Sequence, residues 1–315
     1  MSRLARVFLV TGSTGFVGSN LCRRLVEDGE NVHLILRKTS RVWRIQDLLP
    51  SVTVHHADLC DAEQTKRVVE AVHPDVIYHL ATHGAYHYQQ DCETTLLVNV
   101  FGLWNLLNAC NSVGYELFVN TGSSSEYGAK QYAMRENDIL EPNSFYAVAK
   151  SAQSLLCQHC ARTASLPLVT LRLFSVYRPY EEPGRLIPNM IMGAINSRRL
   201  EMASPKTARD FVYVDDVVRL YLMVDELKQL HGEILNVGTG IQQTLSEVTQ
   251  ALASVCGRDL DIQWEAMEPR IWDSDTWVAD CSKLHRKTGF VPRTTIREGL
   301  LKCVPWFEAH QDFYR

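Results

Sequence analysis

The chain has 315 residues, 46% hydrophobic and 22% charged, the balance of an ordinary globular protein with room for one large domain or two lobes. A formal charge of -4 and a pI near 6.3 give no support for binding a polyanion, so nucleic acid is not an expected partner. No apolar run approaches the ~20 residues that span a bilayer, and the nine cysteines lack metal-ligand spacing, so no membrane association and no metal are expected. Buried reduced thiols in a cytoplasmic protein are the better reading, including for Cys157 and Cys160, a C-x-x-C inside a helical stretch with no second pair.

The N-terminal "MSRLARVFLVTGS" has an apolar part of about five residues running straight into a glycine turn, which predicts a first strand rather than a signal segment. "VTGSTGFVGSNL" then places Gly12, Gly15 and Gly18 three apart between that strand and an amphipathic helix closed by Gly29. Glycine permits the tight turn and the close approach of backbone to a pyrophosphate, while the helix N-terminus offers amide groups to its charge. The strand-before, helix-after context makes this a dinucleotide loop. The second strand, "NVHLILR", ends in Leu36-Arg37-Lys38, where an NAD site usually carries an acid for the ribose hydroxyls. A guanidinium and an ammonium suit a 2'-phosphate. NADP is therefore expected, with NAD as the alternative; the structural reading is a solvated basic loop in which Arg41 and Arg44 follow. Asp58, after the third strand "VTVHHADL", is placed to accept a hydrogen bond from the adenine amino group.

Further along, "AEQTKRVVEAVH" predicts a helix, "DVIYHLAT" a strand, "TLLVNVFGLWNLLNACNSVG" a long helix and "LFVNTGSSS" a strand. A helix bearing Tyr146 and Lys150 and the strand "LPLVTLRLFSVY" follow. Strand–helix alternation of this kind predicts an α/β fold, a Rossmann-like doubly wound parallel sheet. After about residue 175 the alternation loosens into a smaller, interleaved C-terminal lobe that binds substrate. The expected division is a cofactor domain over 1–174 with a return at about 208–240, and a lobe mainly within 175–315.

"FYAVAKSAQ" puts Tyr146 and Lys150 one helical turn apart, on one face. The ordered set TGxxGxxG, "YHLAT", "NVFG", "TGSSSEYG", YxxxK and "RDFVYVDDV" resembles the extended short-chain dehydrogenase/reductases that modify nucleotide-sugars, across nearly the whole chain. That branch holds epimerases, dehydratases and 4-keto-sugar reductases. The resemblance implies that Tyr146 is the general acid/base and that Lys150 lowers its pKa and binds the nicotinamide ribose. It implies that Ser123 hydrogen-bonds the reacting sugar oxygen, with Ser124 and Ser125 as alternatives. The physics agrees, since a free phenol titrates near pH ~10 and a neighbouring ammonium favours the phenolate. Cofactor contacts are implied at Gly12, Thr14, Gly15, Phe16, Val17 and Gly18, at Asp58 and Leu59, at Leu80, Ala81 and Thr82, and at Asn99.

Departures from the family pattern narrow the chemistry. Dehydratases resembling this chain carry an Asp-Glu pair where Ser124 and Ser125 stand, so dehydration is disfavoured. Glu126 lies one place further and is expected to face away if the segment is extended. His83 and His87 are expected to line the sugar pocket, with an extra acid/base role as the alternative. Ser175 and Arg178 replace the family's usual asparagine and glycine. Arg209 matches the arginine that grips the substrate diphosphate, against a surface salt bridge with Asp210; Arg270 and Asp273 are candidates for the base or ribose. The expected function is an NADP-dependent reductase of a nucleotide-linked 4-keto-(6-deoxy)sugar. The alternative is a nucleotide-sugar epimerase working through a transient ketone. A non-catalytic dinucleotide sensor is disfavoured because tyrosine and lysine are both present. A homodimer pairing the helix at about 95–112 with the Tyr146 helix is expected from the family.

Overall fold

The computed structural model describes residues 6–314, apart from 87, 90 and 268–273. Its sheet begins with β1 (Val7–Thr11), β2 (Asn31–Leu36), β3 (Thr53–His56), β4 (Val76–His79), β5 (Leu117–Ser123) and β6 (Leu168–Leu173). A seventh strand, Ile234–Val237, completes the order Ile234–Val237, β6, β5, β4, β1, β2, β3. β1 pairs parallel with β2 on one side and β4 on the other. The chain therefore reverses its winding at β1, and the carboxyl end of β1 opens the crevice where such sheets bind ligands. The central strands are apolar on both faces, as a sheet covered on both sides demands; β4 and β6 are buried throughout. This is the Rossmann-like α/β fold the sequence predicts.

Helices α1 (Phe16–Glu27), α2 (Ala62–Val72), α3 (Cys92–Leu96), α4 (Gly102–Val113) and α5 (Phe145–Ala164) flank the sheet. Their starts follow local chemistry. Asp61, Asp91 and Ser144 each turn a side-chain oxygen onto a first-turn amide of α2, α3 and α5, satisfying donors that have no partner within the helix. α3 and α4 are one continuous run, Cys92–Val113, joined by a π-helical turn at Leu97–Phe101. At 22 residues this run is apolar and long enough to cross a bilayer by length and composition, which the sequence reading did not credit. In the fold, however, Leu103, Leu106, Leu107 and Cys110 are fully buried in the core shared with α2 and α5.

Two compact units emerge. The first comprises Met1–Gly128, Ile139–Arg172 and Val218–Leu235; the second Ala129–Asp138, Leu173–Val217 and Asn236–Arg315. The break expected at 174 falls at Arg172, the return narrows to Val218–Leu235, and Ala129–Asp138 joins the second unit, where Met134 pairs with Ala279. The second unit has its own core, built on Tyr177, Ile191, Val248, Leu300 and Phe307.

Candidate active site

The loop after β1 is shaped by absence of side chains. Gly12 has a φ of +72°, and a Cβ there would run into the backbone of Leu80 and Ala81. A Cβ on Gly18 would strike the Gly12 carbonyl. The loop thus lies flat beneath the Leu80–Ala81 backbone, and α1 starts at once. No side chain caps α1: Gly15 stands at its N-cap. A helix end with unpartnered amides and a favourable dipole is a ready anion site, so the residues present fit a dinucleotide pyrophosphate.

Around this loop the other expected cofactor residues take different positions. Thr14 offers its carbonyl to the Arg44 guanidinium at 3.3 Å. Arg37 and Lys38 are exposed at the end of β2, in a turn closed by Ser40 Oγ accepting from Arg37 N–H at 3.1 Å. Arg44, read from sequence as part of a solvated loop, is instead buried and lies over the Trp43 ring at 4.2 Å. Asp58 is exposed, but its carboxylate accepts from the Cys60 N–H at 2.9 Å; Leu59 is buried beside it.

Asn99 does not present its amide outward. It sits fully buried in the π-helical turn, and its side chain brackets the loop after β4. Oδ1 accepts from the Thr82 hydroxyl at 3.1 Å and the His83 N–H at 2.8 Å, while Nδ2 donates to the His83 carbonyl at 2.8 Å. The Asn99 carbonyl in turn accepts from Gln153 Nε2 on α5 at 2.6 Å. The bond falls within the π-helical turn, an irregularity frequent at functional sites. His83 is therefore fixed through its backbone, and Gln89 Nε2 stands 3.5 Å from its Nδ1. His79, between Thr11 and Gln153, is driven by burial, with help from the Lys150 charge, to a pKa of about 3. It is a neutral link in the network.

The tyrosine–lysine pair is held from α5. Lys150 is buried and donates from Nζ to the Thr121 carbonyl of β5 at 2.9 Å, with Nζ 5.9 Å from the Tyr146 ring centre. Tyr146 is half-buried. Burial pushes the Lys150 ammonium down to about 8, and the Glu126 charge opposes the fall. Ser123 ends the same strand two residues after Thr121, so both residues fall on one side of β5. Its Oγ accepts from Ser125 N–H at 3.2 Å. That bond uses acceptor capacity and leaves the hydroxyl proton as a donor.

Glu126 corrects the expectation of an extended segment. Ser124–Tyr127 is a 3-10 turn, and the carboxylate folds inward. Oε1 accepts from Ser123 N–H at 2.8 Å and Oε2 from Arg172 Nε at 2.7 Å. Arg172 also donates to the Tyr127 hydroxyl at 2.9 Å. Burial raises the Glu126 pKa, while Arg172 and the Ser123 amide pull it back. With 0% exposure and this pairing, Glu126 braces the serine turn. Ser124 is buried and Ser125 half-buried, so hydroxyls alone occupy the two places of the dehydratase acids. Sequence carries no signal for the Glu126–Arg172 pair, because the partners are 46 residues apart.

In the second unit, Ser175 begins a strand that pairs with Phe211–Tyr213. Arg178 forms an ion pair with Asp215 at 2.8 Å. Arg209 is half-buried, its guanidinium 5.3 Å over the Trp277 ring and donating to the Ala208 carbonyl at 2.6 Å. Asp210, the alternative ion-pair partner, is fully buried and gives its carboxylate to the Thr239 hydroxyl and the amides of Thr239, Gly240 and Ala279. His87, Arg270 and Asp273 lie outside the described residues.

The sequence profile described as the NAD dependent epimerase/dehydratase family matches residues 8–238. The chain belongs to this family. It is 30% identical, over 96% of its length and 98% of the relative's, to YtcB of Bacillus subtilis, named an uncharacterized UDP-glucose epimerase. Among solved structures it is similar to the epimerase Mth375 of Methanothermobacter thermautotrophicus, with a TM-score of 0.89 and 29% identity over 99% of this chain and 94% of that one. It is also similar to the UDP-glucuronic acid 4-epimerase of Bacillus cereus, solved with UDP-glucuronic acid and NAD, at a TM-score of 0.84 and 25% identity over 96% and 99% of the two chains. The family resemblance read from the ordered motifs is borne out. As a member of the NAD-dependent epimerase/dehydratase family, the protein is an NAD(P)-dependent nucleotide-sugar enzyme.

Proposed function

We propose that the protein is an NADPH-dependent reductase of a nucleotide-linked 4-keto-sugar, working in the cytoplasm. The observation that supports this reading is the end of β2, where Arg37 and Lys38 stand in place of the acid that holds an NAD ribose. The bound nicotinamide supplies the hydride for the sugar carbonyl carbon. Tyr146 delivers a proton from its hydroxyl to the oxygen that becomes negative, and the Lys150 ammonium keeps the phenolate left behind accessible near neutrality. Ser123 donates its hydroxyl proton to the same oxygen, and the Ser125 amide holds the serine in place. Asn99 and Gln153 set the loop that carries His83 against the helix that carries Tyr146. Arg209, steadied on Trp277, takes the substrate diphosphate.

A second reading is favoured by the similarity to proteins named as epimerases. There the same groups remove hydride and proton from a carbinol and return them on the other face. Dehydration is set aside, because Ser124 and Ser125 supply no carboxylate. The assay is turnover of a panel of nucleotide-sugars and their 4-keto forms, with product mass and NADPH absorbance followed together. One NADPH lost per product is expected. Conversion without net loss of NADPH would replace the reductase reading by the epimerase one.

We further propose a homodimer. Helix Cys92–Val113 and α5 adjoin and leave Phe101, Trp104, Phe145 and Leu155 exposed, with 56% of Phe101 and 54% of Leu155 open to solvent. Apolar side chains in that number suit a partner's matching face. Light scattering at micromolar concentration is expected to give twice the chain mass, and a monomer would refute the pairing.

A further inference from the structure

We infer that Glu126 is a positioning residue for the reaction, whose buried carboxylate holds Lys150 as an ammonium and so sets the alkaline limit of turnover; this rests on the reading above in which that ammonium serves Tyr146. Lys150 is 2% exposed, and its Nζ donates to an uncharged group, the Thr121 carbonyl, at 2.9 Å. A buried cation is costly unless an anion lies close by. The anion is anchored on the same strand. Glu126 is 0% exposed, and its Oε1 accepts from the Ser123 N–H at 2.8 Å. That oxygen lies so near Gly122 that a Cβ there would stand 2.7 Å from it. Ammonium and carboxylate are therefore held at Thr121 and at Gly122–Ser123, consecutive places along β5. The helix that carries Lys150, α5, packs against both β5 and the turn Ser124–Tyr127.

The other titratable groups that face Lys150 do not supply this charge. His79 on β4 is neutral, burial holds Cys157 on α5 as a thiol, and Tyr146 is the acid being served. Arg172, on β6, directs Nε to the second Glu126 oxygen at 2.7 Å and Nη1 to the Tyr127 hydroxyl at 2.9 Å. Burial pulls the Lys150 ammonium down to about 8, and the Glu126 charge is the main force holding it up. Charges closed off from water interact through a lower effective dielectric than at the surface. Losing the carboxylate should therefore move the lysine by about one pH unit.

Glu126→Gln keeps an oxygen for the Ser123 amide and removes the charge. Because it strips Arg172 of its buried partner, the double variant Glu126→Gln/Arg172→Met is measured beside it and decides alone should the single variant not fold. Lysines are labelled with carbon-13 at Cε, and the Lys150 resonance is identified by its absence from Lys150→Met. Its titration is then followed by NMR in each unliganded protein, from neutral pH into the alkaline range. The midpoint is expected to fall by about one pH unit in both variants. The alkaline limb of turnover, measured with the nucleotide-sugar that the wild type converts fastest, should move down with it. An unmoved midpoint would overturn the inference and leave the role of Lys150 standing. A fall confined to the single variant would also overturn it, since the unpaired Arg172 guanidinium would then be the cause. A midpoint that falls while the turnover limb stays in place would sink the reading in which the ammonium serves Tyr146, and the inference with it.

Discussion

Replacing Tyr146 by phenylalanine is expected to lower turnover by about 10²–10⁴-fold while leaving the melting temperature and cofactor affinity near those of the wild type. The ring stays in its half-buried place on α5 and only the transferable proton is lost. Lys150→Met should lower turnover and weaken cofactor binding as well, because that ammonium serves both. A Tyr146→Phe enzyme within threefold of wild type would remove the acid/base assignment. The lysine adds a pH signature with two opposite signs. Burial holds Lys150 at about 8, below its unfolded value of about 10.4. Between these values the unfolded chain binds a proton that the folded protein does not, so stability of the unliganded protein should rise as pH increases through that window. Turnover should fall over the same window, as the ammonium beside Tyr146 is lost. Urea unfolding and initial rates, measured from neutral pH into the alkaline range, check both limbs. Parallel rather than opposed trends would show that Lys150 does not govern the rate.

Arg172→Met is expected to destabilise the fold by roughly 3–5 kcal/mol, read from the midpoint of urea unfolding. The substitution leaves the Glu126 carboxylate, just past the carboxyl end of β5, without the cation it is hydrogen-bonded to, in a site closed to water. Glu126 can escape that cost only by taking up a proton. Its folded pKa then lies far above the unfolded one, and the variant should regain stability as pH falls. Adding Glu126→Gln to Arg172→Met should recover part of the loss at neutral pH, since the double variant no longer buries a carboxylate that has lost its ion-pair partner. Turnover should suffer too, because the Glu126 carboxylate positions the Ser123 amide. A loss below about 1 kcal/mol for Arg172→Met would show that the pair does not hold the serine turn.

Local chemistry made some features legible in the chain itself. Gly12 and Gly18 are needed where backbone meets backbone, and Tyr146 and Lys150 share a face because a helical turn is fixed by geometry. The apolar, β-branched runs of β1, β4 and β6 announce strands buried on both faces, and so the fold class follows from alternation alone. Each of these depends on residues a few positions apart. What the sequence left open depends on segments far apart that meet only in the fold. Glu126 became an internal brace because Arg172 arrives beneath it. Asn99, in a π-helical turn, brackets the His83 backbone with its side-chain amide, a contact across 16 residues. Arg44 passed for a solvated cation because nothing in "RVWRIQD" announces that the Thr14 carbonyl will stand beside it. Residue spacing sets what a helix or a loop can present, and the energy of burying a charge decides which distant group must come to meet it.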